Sequence, residues 1–145
     1  MNRKERRAAA KQARSGSSPS VVNLRTDALL AEAARHHQAG RLKQAERLYR
    51  RVLASYPDHA DCLHLLGLVA HQTGRSEEAL QLIERAIALN SIDPDFHNDI
   101  AGVYQSLGRF DRAVRHCRHA MALNPSSAAI RFNLVEETGM RLDQF

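Results

Sequence analysis

Eight histidines, two cysteines and a column of evenly spaced aspartates are the side chains of this sequence with the means to do chemistry. His116 and His119 lie three apart with Cys117 between them, and Cys62 and His64 come shortly before His71. Residues three, four or seven apart on a helix can share a metal ion, but neither a CxxC nor an HExxH spacing occurs. The reading from spacing is therefore core cysteines, surface histidines and no metal site. Asp27, Asp61 and Asp95 recur 34 residues apart. Each falls where a helix is expected to start, so the column reads as caps for free N–H groups, favoured by the helix dipole, and not as a carboxylate site. Arg109, Arg112, Arg115 and Arg118 form a basic stripe that could meet phosphate or an acidic partner, yet charge runs on helices are usually solvated. No phosphate loop, GxSxG elbow or paired acid and base is present. The expectation is no catalytic residue, no cofactor and no enzyme activity.

The elements that carry these residues repeat. Gly40, Gly74 and Gly108 are 34 apart, as are Ala45, Ala79 and Ala113, and Pro57 and Pro125 lie at twice that interval with Ser91 between. The units run over 26–59, 60–93 and 94–127, and each divides at its glycine into two helical patterns. In the middle unit Leu63, Leu66 and Ala70, then Ala79, Leu82, Ile83 and Ala86, recur at three- and four-residue spacing, giving two apolar stripes that must face each other. Gly74 is expected to end the first helix in a left-handed turn, Ser76 to cap the second, and Gly67 with Ala79 to let the pair approach closely. Each unit is then a helix hairpin.

In these residues the chain resembles the tetratricopeptide repeat (TPR) family, whose 34-residue motif places a large residue, Leu-Gly and Tyr on its first helix and Ala, Phe and Pro on its second. The second unit offers Leu63, Leu66, Gly67, Ala70, Ala79 and Ile83. The third offers His97, Ile100, Ala101, Tyr104, Ala113, Cys117 and Pro125, and the first Leu29, Ala33, His36, Ala45, Tyr49 and Pro57, with Glu32 in place of the leucine. The resemblance implies an all-α fold: tandem antiparallel hairpins stacked as a right-handed solenoid, closed by a capping helix from a partial fourth repeat at 128–145. In that last segment Val135, Met140, Leu142 and Phe145 are more apolar than a finished cap requires, which leaves self-association through the flank open.

The resemblance further implies that first helices line a concave groove for a protein or peptide. By register the lining is Leu30, Ala34, His37 and Gln38, then His64, Leu68, His71 and Gln72, then Asn98, Gly102, Gln105 and Ser106. His37, His71 and Gln105 form one ladder and Gln38, Gln72 and Ser106 another, both suited to a peptide backbone. Relatives that hold chaperone carboxylates use Lys, Arg and Asn in the groove. Leu30, Ala34, Leu65, Asp95 and Asp99 stand at those positions here, so acidic chaperone tails are not expected to bind.

Composition bounds the rest. The 145 residues are 43% hydrophobic and 26% charged, as in one ordinary globular domain, and no apolar run approaches the roughly 20 residues of a membrane span. Residues 1–22 read as a basic, Ser/Gly-rich tail and linker, and 23–145 as the repeat domain. Arg3, Lys4, Arg6, Arg7, Lys11 and Arg14 against Glu5 account for the whole net charge of +5, leaving the domain neutral. No apolar stretch follows that basic start, so export is not expected and a reducing cytoplasm fits the two cysteines.

The primary expectation is a non-catalytic adaptor that binds protein or peptide in its groove. Proteins resembling this one often carry such repeats ahead of a glycosyltransferase or methyltransferase domain, so the alternative is the substrate-recognition module of a larger or trans-acting enzyme, whose catalytic domain these residues lack. A weaker third reading gives the basic tail a nucleic-acid or membrane-surface role.

Overall fold

In the computed structural model, which describes residues 2–3, 21–127 and 129–130, every regular element is a helix. They are α1 (Val21–Gln38), α2 (Leu42–Ser55), α3 (Ala60–Gln72), α4 (Ser76–Leu89), α5 (Pro94–Ser106) and α6 (Phe110–Leu123). The ends of α1, α3 and α5 lie 34 apart, as do both ends of α2, α4 and α6. The chain forms two compact units, residues 1–48 and 49–145, divided within α2.

The turns explain the spacing. Gly40, Gly74 and Gly108 have φ of 78°, 85° and 74°, the left-handed region that a side chain disfavours. The next amide then reaches five residues back: Arg41 N–H donates to the His36 carbonyl at 2.8 Å, Arg75 to Ala70 at 2.8 Å and Arg109 to Tyr104 at 2.9 Å. This glycine stop satisfies carbonyls that the helix end leaves open and reverses the chain within three residues.

In the first unit Ala33 and Ala45 are fully buried, while Leu24 is 68% exposed. In the second, α3 packs on α4 and α5 on α6, with α4 also against α5 and α3 touching α5. Leu63, Leu66 and Ala70 of α3 and Ala79, Leu82, Ile83 and Ala86 of α4 are buried, the two stripes expected from the sequence. A Cβ built on Gly67 would lie 2.6 Å from Ile83 Cγ1 and 3.3 Å from the Ala79 carbonyl, so the close approach of α3 and α4 depends on glycine there. Cys62 and Cys117 form no disulfide and are fully buried core residues.

The caps differ from the expectation. His59 caps α3, its Nδ1 accepting from Cys62 N–H, and Asp93 caps α5, accepting from Asp95 N–H. Asp61 and Asp95 sit inside the first turn, where their charge favours the dipole without closing the helix end. Asp27 lies well inside α1, which begins at Val21. Ser76 is the first residue of α4; the cap position is Arg75, whose side chain makes no capping bond.

Side chains far apart in sequence also tie the second unit together. Arg50 meets Glu78 at 2.9 Å, Arg109 meets Glu77 at 2.6 Å, Arg85 donates to the Pro57 carbonyl and the Tyr104 hydroxyl to Glu84 at 2.8 Å. The Arg–Glu pairs are substantially exposed, so each contributes only about 0–1 kcal/mol. Stacking is carried mainly by the apolar stripes.

Candidate functional site

The expected groove residues divide between the two units. Leu30, Ala34 and His37 are half-buried and Gln38 exposed on α1 of the first. The remaining eight belong to α3 and α5 of the second, and the structure joins some and buries others.

His64 does not line an open surface. It is 8% exposed, its Nε2–H donates to Asp99 Oδ2 at 2.5 Å, and its ring lies 4.7 Å from that of Phe96. The pair links α3 to α5 and occupies the carboxylate whose position in the sequence argued against acidic ligands. Further along, His71 is held on both sides. The Ser106 hydroxyl donates to the Gly102 carbonyl at 3.1 Å and so accepts from His71 Nε2–H at 3.4 Å, leaving His71 Nδ1 to accept from Ser76 at 3.0 Å. The expected ladders are therefore crossed: His71 bonds Ser106, one position diagonal to Gln105. Leu68, Asn98, Gly102 and Gln105 are half-buried and Gln72 exposed, with nothing within 4 Å of a Cβ built on Gly102. Helices α3 and α5 contain no Lys or Arg.

A second histidine cluster lies between α5 and α6, with His119 exposed and His116 half-buried. His97, in the large-residue position of its repeat, is 3% exposed. Its Nε2–H donates to the Ser91 carbonyl at 2.9 Å, which leaves Nδ1 to accept from His116 Nδ1–H at 3.1 Å. His119 stacks on His97 at 4.2 Å and Tyr104 stacks on His116 at 5.6 Å, with the Arg112 guanidinium 5.9 Å from the Tyr104 ring. Burial, then the neighbouring His97, His119 and Arg115, pull the His116 pKa down to about 4. Burial likewise pushes the Cys62 thiol, which donates to the Tyr49 carbonyl, up to about 12. Such a thiol is not a nucleophile near neutral pH.

The arginine stripe is not uniform. Arg109 is engaged by Glu77 and Arg112 lies over Tyr104, whereas Arg115 and Arg118 border a shallow depression with Asp111 and Val114 on the outer face of α6. Apart from Arg3, the basic residues of the tail lie outside the described residues, as do Val135, Met140, Leu142 and Phe145. Ile130 is 2% exposed. No described helix is long and apolar enough to cross a membrane.

Models of the tetratricopeptide repeat match residues 29–95 and 98–124. The chain belongs to the tetratricopeptide repeat family, and its fold is that of a protein-interaction module. Among solved structures it is similar to the Thermobaculum terrenum O-GlcNAc transferase, with 30% identity and a TM-score of 0.75 over 77% of this chain and 22% of that one. It thus spans about a fifth of that enzyme. The Sgt2 TPR domain of Aspergillus fumigatus is similar in fold at 15% identity and a TM-score of 0.75, over 79% of this chain and 78% of that domain. So is the first TPR of Spaghetti bound to an HSP90 peptide, at 13% identity and a TM-score of 0.75, over 79% of this chain and 90% of that one. No curated protein matches the chain.

Proposed function

We propose that the chain is a non-catalytic adaptor that holds an extended peptide against the first-helix face formed by α3 and α5. The observation that carries this reading is the composition of that face: half-buried Leu68, Asn98, Gly102 and Gln105 beside the fixed His71–Ser106 pair, with no Lys or Arg on either helix. A peptide backbone needs donors and acceptors without net charge, and the open side of Gly102 admits a close approach. A TPR of the same fold holds an HSP90 peptide of sequence SRMEEVD. Here exposed Asp95 would oppose such acidic residues, with the Asp99 carboxylate held by His64. The partner is accordingly a neutral or basic segment of another protein.

The test is affinity capture from lysate with the full chain beside a His71→Ala, Gln105→Ala double variant, followed by titration of the retained protein. Retention by the parent and at least about tenfold weaker binding by the variant, with circular dichroism unchanged, supports the reading. Equal retention moves the site elsewhere, with the outer face of α6 the next candidate.

A second reading draws on the 30% identity to the O-GlcNAc transferase. The repeats would then select protein substrates for a catalytic domain in the same or another chain. It is favoured if the captured protein is itself a transferase or carries the transferred group.

A further inference from the structure

We infer that His97 and His116 form a two-imidazole site, between α5 and α6, for a divalent transition-metal ion of the Zn2+ and Cu2+ class. The spacing within the sequence pointed to His116 and His119 as a pair and gave no reason to include His97. The structure pairs His116 with His97 instead, 19 residues away on the facing helix, with the two Nδ1 atoms 3.1 Å apart.

Two features make this more than a contact between rings. The Ser91 carbonyl in the turn before α5 can only accept, so it fixes the proton of His97 on Nε2 and turns the Nδ1 lone pair toward His116. A backbone carbonyl on the far nitrogen is the device by which metal-binding histidines are oriented and made more basic. The second feature is the separation itself. With ordinary metal–imidazole bonds, two nitrogens 3.1 Å apart subtend about 100° at a shared ion, within the range of tetrahedral or square-planar coordination. Loading requires two changes: the neutral His116 ring carries its single proton on Nε2 and frees Nδ1 as the second donor, with no net change in protons on the protein, and the two rings turn so that the Nδ1 lone pairs, which the hydrogen bond aligns along the N–N line, converge on the ion beside it. Tyr104, anchored by Glu84, stacks on His116 and restrains its ring.

Among the described residues no three His, Cys, Asp or Glu side chains already form a metal group, so two nitrogens come from the protein and water completes the shell. Entry is from the side of half-buried His116 and exposed His119, one turn further along α6. Imidazole donors select borderline ions over Mg2+ or Ca2+.

The experiment is calorimetric titration of the full chain with Zn2+ near neutral pH, beside His116→Gln and His71→Gln. Glutamine keeps an amide donor toward His97 and circular dichroism reports whether the hairpin is retained; the His97→Gln variant serves as a second test should His116→Gln unfold. The expected result is one saturable Zn2+ per chain, weakened at least about tenfold in His116→Gln and unchanged in His71→Gln, with Cu2+ bound more tightly and coordinated by nitrogen in its electron paramagnetic resonance spectrum. Absence of saturable binding in the parent, or equal binding by a folded His116→Gln or His97→Gln, overturns the assignment.

Discussion

At the scale of single residues, the imidazoles carry most of what the chain adds to its repeat pattern. His116 is held near a pKa of about 4 in the folded protein, below its ordinary value of 6.5. Between those values the unfolded chain binds a proton that the folded chain refuses, so the associated stability is complete above pH 6.5 and is lost as the pH falls toward 4. In the presence of a chelator, Tm is expected to drop between pH 7 and pH 5, and the drop to be smaller in His116→Gln; thermal melts at the two pH values check this. Cys62, with its thiol raised to about 12 and no exposure, is expected to react with thiol reagents only as the protein unfolds, which a comparison of labelling and unfolding rates measures. Little of this was legible in the sequence. His97 stood in a core column, but its burial depends on the Ser91 carbonyl that satisfies it. The His64–Asp99 bond joins residues 35 apart, one more than the repeat, so reading down a column passes over it.

At the scale of elements, the hairpins were legible because the same physics is written three times. A left-handed glycine, a small residue where helices cross and apolar stripes at three- and four-residue spacing specify a helix pair whatever occupies the outer faces. Two substitutions to alanine on first helices separate crossing from propensity. Gly67→Ala drives a Cβ into Ile83 and is expected to cost about 1–2 kcal/mol, whereas Gly102→Ala meets open space and is expected to gain up to about 1 kcal/mol from helix propensity; urea melts give both. The helix ends were less legible, since aspartate caps a helix from one position and only complements its dipole two residues later. Accordingly Asp93→Ala is expected to cost about 1 kcal/mol and Asp95→Ala less, reversing the ranking suggested by the 34-residue column.

At the scale of the whole molecule, family membership supplies the protein-interaction fold, and the proposal assigns the choice of partner to the first-helix face of α3 and α5. Membership was legible in the sequence because Gly, Ala and Asp columns shared one register. The open part of the face was not, because burial of His64 and diagonal bonding of His71 arise only once neighbouring repeats stack. The face lacks Lys and Arg and presents exposed Asp95, so an acidic chaperone-tail peptide is expected to show no micromolar affinity in titration with the full chain. The most direct test of the central claim is hydrogen–deuterium exchange of the full chain with and without its captured partner. Peptide recognition by the first helices predicts new protection along α3 and α5, with α4 and α6 unchanged. Protection confined to α6, or none on α3 and α5, would contradict it.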